Sequence, residues 1–388
     1  MPNFFAVCVP GLESFTTKEL KDLGLPVSSS TSSRGSLEGK GEVEEVGGVE
    51  FRGPLADLYR ANLHLRTASR ILFHLGSFYA DTFSDLGRRA KRLPWEAYLK
   101  PRRPVALRVT CHRSRLFHSG GVIERILESV GARLGQVPPI KKLDGEEESN
   151  PQQLIIVRLV ENRCTISLDS SGALLHKRGY RLATAKAPLR ETLAAGILMA
   201  SGWDLHSPLI DPFCGSGTIP IEAALMAGKI APGIKRRFAF MDWPNFDRET
   251  WERLKAPSGQ GPPKSVPPIL GSDRDAGAIR AAGENAGRAG VAGDIIFSRR
   301  ALSDLEAPPG RGWVVTNPPH GVRLKGNRDL RNLYIRLGRV LRAKCSGWNA
   351  AILCGNDSLL DLSGIQFDRR FPMQSGGLRV TLATGKIG

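Results

Sequence analysis

The sequence predicts an α/β protein: a Rossmann-like, doubly wound parallel sheet with an antiparallel hairpin at its end, preceded by a smaller α+β module. Strand-like and helix-like segments alternate from about residue 182 onward, which is typical of a parallel sheet covered by helices. Two strands in this half end directly in turn-forming segments, Asp211–Thr218 and Asn317–His320. The length of 388 residues exceeds what one hydrophobic core usually serves, so two or three domains are expected.

The amino-terminal half contains short strands and helices without a simple alternation. The apolar run Phe4–Val9 stops at Pro10-Gly11 and is too short for a signal peptide core, so it predicts a buried first strand. The further predicted elements are a helix from Leu12 to Leu23, a loop from Ser28 to Gly41, a strand Val49–Phe51, a helix from Pro54, a strand Ile71–Leu75, a strand Val105–Thr110, a helix Val122–Leu134, and strands Leu154–Val160 and Cys164–Leu168.

The carboxy-terminal half supplies the alternating pattern, interrupted once by a Pro/Gly-rich insertion from Gly228 to Pro268. Ligands of such sheets bind beyond the carboxyl ends of the strands, where both turn segments lie. The predicted elements are helix Leu189–Met199, strand Leu209–Phe213, helix Ile219–Ala227, strand Ile269–Ser272, helix Ala276–Gly287, strands Ile295–Phe297 and Val314–Thr316, helix Asp329–Lys344, strand Ala350–Cys354 and a hairpin from Phe367 to Ala383.

Composition narrows the class of protein. Hydrophobic residues make up 41% and charged residues 24%, which fits a folded chain without membrane spans, and cytoplasm is the expected location. Six scattered cysteines show no zinc-ligand spacing, so no metal is expected. The net charge of +17 favours a polyanionic partner such as nucleic acid.

The glycine-rich turn predicts a nucleoside site. Gly215 and Gly217 allow the backbone to bend sharply and approach a ligand closely. A dinucleotide fingerprint would have a third glycine where this chain has Pro220, and no phosphate-binding Gly-Lys-Ser/Thr follows, so a nucleoside without pyrophosphate is favoured. Asp273, at the tip of the next strand, suits the ribose hydroxyls, and it could also cap the helix near Ala276, since the two roles can coexist. Asp304 suits an adenine amino group, although Ser-Asp is also common in turns.

Asn317-Pro318-Pro319-His320 predicts a site for an aromatic amine. Proline fixes the backbone just past the strand, so the Asn317 side-chain oxygen and the Pro318 carbonyl can face one point. Two acceptors there would bind both hydrogens of an exocyclic amine and free its lone pair for attack. Alone, such a segment more often only starts a rigid loop, but its place at the end of the fourth strand favours the binding site.

Asp211–Thr218 and Asn317–His320 resemble motifs I and IV of class I S-adenosylmethionine-dependent amino-methyltransferases. Across the chain, the order of motifs resembles the THUMP-domain RNA guanine-N2 methyltransferases, of the kind seen in the amino-terminal half of RlmL and in TrmN-type enzymes. The other segments of the resemblance are 62–70, 113–119, 177–181 and 187–195. It implies S-adenosyl-L-methionine as cofactor, structured rRNA or tRNA as partner, a ferredoxin-like piece at 1–55, a THUMP RNA-binding domain at 56–170 and a catalytic domain at 171–388. We expect a monomer.

Residue roles follow from the motifs and the resemblance. Asp211 is assigned to the amino-acid end of the donor, and Thr218 to capping the following helix. The family usually has Tyr or Phe at the fourth position of Asn-Pro-Pro-x, where this chain has His320, which would stack more weakly on a flipped base. The predicted catalytic residues are Asn317, Pro318, Pro319 and His320; the cofactor residues are Asp211, Phe213, Gly215, Gly217, Thr218, Asp273, Asp304 and Asn317; the RNA contacts are Arg323, Arg88, Arg89, Arg92, Arg102 and Arg103.

Two other functions share these motifs. A DNA amino-methyltransferase acting on adenine N6 or cytosine N4 would use the same two segments. A catalytically weak RNA-binding or ribosome-assembly factor would keep the fold without the chemistry. Pyrimidine carbon-5 methylation is disfavoured, because it needs a thiolate beside the base, and Cys214 is interpreted as a packing residue.

Overall fold

The computed structural model describes residues 1–28, 47–141, 153–181, 189–256, 265–319 and 327–388. These residues form two sheets with helices packed on them, and three apolar clusters lie beneath. The predicted fold class, a doubly wound α/β sheet with an antiparallel hairpin at its end, preceded by an α+β module, is confirmed.

The amino-terminal sheet has six strands in the order β2-β1-β3-β6-β5-β4. Only β4 and β5 pair in parallel within it. Its strands are β1 (Asn3–Cys8), β2 (Gly47–Arg52), β3 (Ala68–Tyr79), β4 (Val105–His112), β5 (Gln153–Val160) and β6 (Arg163–Asp169). Its helices are α1 (Glu13–Asp22), α2 (Leu55–His64), α3 (Phe83–Ala90) and α4 (Ser119–Leu134).

Strand β3 is twelve residues long, more than twice the predicted Ile71–Leu75. Its first half pairs with β1 and its second half with β6, so it joins the two amino-terminal units into one sheet. The second half is only partly buried and includes Gly76 and Ser77, which ended the apolar run in the sequence. Long-range pairing therefore extended the strand where local composition did not.

The carboxy-terminal sheet has seven strands in the order β12-β13-β11-β10-β7-β8-β9. Strands β7 to β11 are parallel, and β12 and β13 form an antiparallel hairpin beside β11. The strands are β7 (Leu209–Asp211), β8 (Ile269–Asp273), β9 (Ile295–Arg299), β10 (Trp313–Thr316), β11 (Asn349–Cys354), β12 (Phe367–Ser375) and β13 (Leu378–Lys386). The helices are α5 (Glu191–Ala200), α6 (Thr218–Ala227), α7 (Arg248–Lys255), α8 (Ala276–Ala289), α9 (Asn327–Lys344) and α10 (Asp357–Leu362).

The part of the insertion from Phe238 to Trp251 packs on the amino-terminal sheet rather than on the sheet from which the insertion emerges. Phe240 is fully buried and stacks on Tyr59, with ring centroids 4.5 Å apart. Trp243 donates from Nε1 to Gln153 Oε1 at 2.6 Å. Trp251 joins the same apolar cluster. The insertion was predicted only as an interruption of the strand–helix pattern, and it instead completes the core of the amino-terminal half.

A buried ionic junction also ties the two halves together. Arg66 donates from Nη2 to the carbonyl of Ile230 at 2.7 Å, and Arg178 donates from Nη2 to the carbonyl of Arg66 at 2.6 Å. Arg178 Nε lies 3.5 Å from Glu222 Oε1, and both side chains are almost fully buried. Removing one partner of such a pair would leave an uncompensated charge in the core, so the junction favours one relative position of the two halves.

Candidate active site

The turn after β7 has the backbone that its glycines predicted. Gly215 and Gly217 both have positive φ, +52° and +85°, which L-residues with side chains adopt at a cost. A Cβ added at Gly217 would lie 3.0 Å from both Ala282 Cβ and Phe297 Cζ, so the turn is also closely packed there. Helix α6 begins at Thr218 with Gly217 as its N-cap residue. Thr218 therefore does not cap the helix as predicted; its hydroxyl accepts a hydrogen bond from Arg181 instead.

Asp211 is the buried acid of the site. Its side chain is 1% exposed, and its Oδ1 accepts hydrogen bonds from Thr316 Oγ1 at 2.6 Å and from Phe213 N at 3.1 Å. Burial raises the pKa of Asp211 to about 7, against the lowering effect of these two donors, and the neighbouring Asp273 raises it further. Asp211 is thus an acid that a nearby cation would ionise.

Asp273 holds the glycine turn from the adjacent strand. Its Oδ2 accepts from Gly215 N at 3.1 Å and its Oδ1 accepts from Asp275 N at 3.0 Å. Asp275, not Asp273, caps helix α8, because its Oδ1 accepts from Ala278 N at 2.7 Å. The capping alternative for Asp273 is therefore wrong, and its half-buried carboxylate faces the turn.

The third strand contributes a less enclosed part of the site. Asp304 lies in a single turn, Leu302–Asp304, after β9, and its side chain is exposed. Phe213 and Leu302 both pack at the edge of one apolar cluster beside this turn. The assignment of Asp304 to an adenine amino group stays a prediction.

The segment after β10 contains a buried acceptor without a partner. Asn317 Oδ1 is inaccessible to solvent and has no hydrogen-bond partner among the described residues. Pro318 is buried and Pro319 exposed, while His320 and Arg323 lie outside the described residues. Thr316, which precedes Asn317, binds Asp211, so the structure brings the two predicted motifs into direct contact. Leaving a buried acceptor unpaired costs about 1–3 kcal/mol, which is a cost expected at sites that bind a donor.

Sequence reasoning missed two supporting residues. Thr316 was interpreted only as the end of a strand, yet its hydroxyl holds Asp211. Arg181 lies in the 177–181 segment that the resemblance had noted, and its guanidinium contacts the Thr218 hydroxyl and lies 3.5 Å from Glu191. The threonine at the end of β10, next to the strand that carries Asp211, could have indicated the contact between Thr316 and Asp211. Nothing in the local sequence indicates the contact between Arg181 and Thr218.

Five of the six predicted RNA contacts lie in the amino-terminal half, and the sixth, Arg323, lies outside the described residues. Arg88 and Arg89 are on α3, and Arg102 and Arg103 precede β4. All of them, with Arg92, are exposed; Arg88 pairs with Asp85, and Arg103 lies 3.6 Å from Asp242. Their role in binding RNA stays a prediction.

Cys214 directly precedes Gly215 in the turn after β7, and its side chain is buried. Burial raises the pKa of its thiol, and the carboxylates of Asp211 and Asp273 raise it further. A thiol of this kind is a poor nucleophile. In the described part of the chain, no cluster of three or more metal-ligating side chains occurs, and no helix is long and apolar enough to span a bilayer.

The fold and the site together define a class I methyltransferase. Family comparison then shows which one: the chain belongs to the family of RMKL-like methyltransferases, whose methyltransferase-domain model matches residues 178–384. An RlmL ferredoxin-like domain matches residues 3–46 and 36–72, and a THUMP domain matches 80–169. The resemblance to THUMP-domain RNA methyltransferases is confirmed. The exact boundaries expected after residues 55 and 170 stay a prediction.

Individual relatives cover nearly the whole chain. It is 34% identical over 382 residues to slr0064 of Synechocystis sp., provisionally named an RNA methyltransferase, covering 98% of this chain and 95% of that protein. It is 35% identical to ribosomal RNA large subunit methyltransferase K/L of Syntrophotalea carbinolica, covering 98% of this chain but 53% of that protein. The chain thus spans about half the length of such K/L relatives. The crystal structure of SMU.472, provisionally named a methyltransferase and complexed with SAH (S-adenosylhomocysteine), superimposes with a TM-score of 0.85 at 27% identity, covering 100% of this chain and 98% of that one.

S-adenosylmethionine is the cofactor of this family, and the expectation of this cofactor is confirmed. The residues present fit it. A Cβ added at Gly215 would meet no described atom within 4 Å, so the turn borders open space that a ligand can enter. Asp211 offers a buried carboxyl that a cationic group would ionise, and Asp273 offers a carboxylate at the tip of the second strand.

Proposed function

We propose that this chain transfers a methyl group from S-adenosylmethionine to the exocyclic N2 amine of a guanosine in structured RNA, in the first place ribosomal RNA. One observation supports the proposal above the others. Among the described residues, Asn317 Oδ1 is a buried acceptor without a partner, and it lies one residue beyond the threonine that holds Asp211. An N–H of a flipped guanine would satisfy it, and only a base swung out of its stack would reach it.

The chemistry asked of the chain is chiefly alignment. Bound S-adenosylmethionine supplies an electrophilic methyl on a sulfonium. Asp211 would hold the amino-acid end of the cofactor and Asp273 its ribose. Asn317 would accept from the amine and, with the Pro318 carbonyl, leave its lone pair facing the methyl. Alignment of this kind can lower a barrier by up to about 7–11 kcal/mol. His320 would stack on the base, and Arg323 would contact a phosphate or the guanine edge.

RNA as the substrate is supported by three independent features. The THUMP match covers 80–169, the net charge is +17, and the K/L relatives are named for ribosomal RNA. The exposed arginines on and after α3 would supply phosphate contacts, so binding should weaken steeply with salt. The choice of guanine N2 over another amine rests on the resemblance, because the Asn317 acceptor would serve any exocyclic amine.

The proposal is tested by methyl transfer with a variant of the acceptor. Radiolabelled S-adenosylmethionine is incubated with unmodified rRNA, tRNA and DNA, and with wild-type, Asn317→Ala or Asn332→Ala protein. Asn332 is exposed on α9, so its replacement is a matched control. We expect label in RNA from the wild type and the control, and none from Asn317→Ala, with most of the S-adenosylhomocysteine affinity retained by calorimetry. Label only in DNA, or full activity in Asn317→Ala, would overturn the proposal.

A further inference from the structure

Two aromatic side chains of the amino-terminal half, far from Asn317 in sequence, are exposed to solvent. Phe117 is 70% exposed and Tyr79 is 52% exposed, the highest values of any Phe, Tyr or Trp in the described ranges. Tyr79 ends β3, and Phe117 lies in the loop between β4 and α4. A single exposed apolar side chain is common in folded proteins, so its surroundings decide whether it marks a contact site.

Phe117 extends from a loop that its neighbours hold in place. Ser114 Oγ accepts from Asn162 N at 3.0 Å, and Asn162 Oδ1 accepts from Arg115 N at 2.7 Å. Asn162 Nδ2 also reaches the Tyr79 hydroxyl at 3.4 Å. Leu116, beside the exposed ring, is buried in the core. The ring is therefore presented to solvent by a fixed loop, which lowers the entropy lost when a ligand stacks on it.

The surroundings of Phe117 favour a ligand with a flat ring and negative charge. The His118 ring lies 4.7 Å from the Phe117 ring and is tilted by 34° against it, and both residues are exposed. Arg113 and Arg163 have no ion-pair partner in the part of the chain that the structure describes, and Arg163 lies opposite Tyr79 in the β3–β6 register.

Two acids lie at the same end of the sheet. Asp81 is paired with Arg115 at 3.2 Å, and Glu161 is exposed in the β5–β6 turn. Arg113, Arg115 and Arg163 therefore outnumber the acids, in a chain of net charge +17. Aromatic faces beside cations are the combination that binds unpaired bases and their phosphates.

We propose that Phe117 and His118 form a stacking platform for an unpaired base of the RNA substrate, with Arg113 and Arg163 on the adjoining phosphates. The inference rests on the proposed function for its substrate class. It goes further by assigning a base contact to the THUMP domain, separate from the pocket that takes the methylated base. The substrate would then have an unpaired nucleotide at a fixed distance from its target guanosine.

The test is RNA binding measured by fluorescence anisotropy. The probe is a labelled single-stranded RNA of about 12 nucleotides, within the range that one such binding surface covers, and a matched probe lacks the bases at its central positions. Phe117→Ala should weaken binding of the first probe by about five- to 100-fold and leave binding of the second unchanged. Phe117→Trp should restore the affinity. Ile296→Ala, which removes a 62% exposed apolar side chain from β9, is the control.

Salt dependence separates stacking from charge. Phe117→Ala should keep the wild-type slope of log affinity against log salt, whereas Arg113→Ala should lower that slope by about one unit. If Phe117→Ala weakened binding of both probes equally, or of neither, the proposed platform would be wrong. Unchanged binding of both probes would indicate that Phe117 contacts a protein partner instead. If wild-type protein bound neither probe and methylated no RNA, the proposed function itself would fail. Thermal melts of each variant confirm that the fold is retained, since an exposed ring leaves no cavity when removed.

Discussion

The protonation of Asp211 should be coupled to cofactor binding. With a pKa of about 7, this carboxyl is mostly protonated at pH 6 and mostly ionised at pH 8. The amino-acid end of S-adenosylhomocysteine carries an ammonium group, which favours the ionised form of a nearby carboxyl. If only ionised Asp211 binds the ligand tightly, affinity should rise about tenfold from pH 6 to pH 8, with a plateau above pH 8.

Isothermal titration calorimetry of S-adenosylhomocysteine at pH 6, 7 and 8 measures this coupling. Buffers of different ionisation enthalpy report the proton released on binding, which should be greatest below pH 7. The matched variant Asp211→Asn cannot titrate and should bind more weakly, with a flat pH profile. Equal wild-type affinity at pH 6 and pH 8, or the same slope in Asp211→Asn, would refute the reasoning.

The free protein offers a second measurement of the same shift. The folded-state pKa of Asp211 lies above its ordinary value of 3.8, so the folded state holds this proton more tightly than the unfolded state does. The resulting stability is present at acid pH and is lost as pH rises from about 3.8 through 7, by about 4 kcal/mol in total. Denaturant unfolding of wild type against Asp211→Asn should show this loss in the wild type alone, and saturating ligand should reduce it.

Three further outcomes are expected. Gly217→Ala should destabilise the fold by about 1–3 kcal/mol and weaken cofactor binding, because φ is +85° and the added Cβ meets two neighbours. The control Gly283→Ala, in open space on α8, should stabilise the fold by about 0.4–1 kcal/mol. Equal denaturation midpoints for the two variants would contradict this reasoning. Phe240→Ala should cost about 3–5 kcal/mol and speed hydrogen exchange in the amino-terminal sheet, although it lies in the catalytic half; exchange that rises only in the carboxy-terminal sheet would be evidence against the packing described. Cys214→Ala should retain methyl transfer, and complete loss of transfer in a folded variant would give the thiol a chemical role.

The alternating half of the chain was predictable because its pattern is local. Apolar strands that end in a glycine turn, in Asp273 or in Asn317 indicate a parallel sheet and place their ends at one edge. The register of β7 with β10 and β8 confirms that these ends are neighbours. What the pattern could not give is which side chain bonds to which. The N-cap residue of α6 is Gly217 rather than Thr218, and that of α8 is Asp275 rather than Asp273. The sequence could not show this, because the exact residue at which a helix begins is uncertain by one or two positions.

The insertion was not predictable from the sequence. Phe238, Phe240, Trp243 and Trp251 have neither strand nor helix spacing, so periodicity could not show which sheet they cover. The sequence also did not show that the amino-terminal strands form one sheet, because β3 pairs with β1, which precedes it, and with β6, which follows it. Both features depend on contacts between residues about 60 to 190 positions apart in sequence, which no local propensity encodes.

The most direct test of the account is to identify the methylated atom. Unmodified ribosomal and transfer RNA are incubated with the wild-type chain and S-adenosylmethionine, digested to nucleosides and analysed by mass spectrometry against standards. The account predicts N2-methylguanosine as the new product, absent with Asn317→Ala. A methyl group on adenine N6, on cytosine or on ribose would contradict the assignment of the amine, and the absence of any methylated nucleoside would contradict the proposed activity.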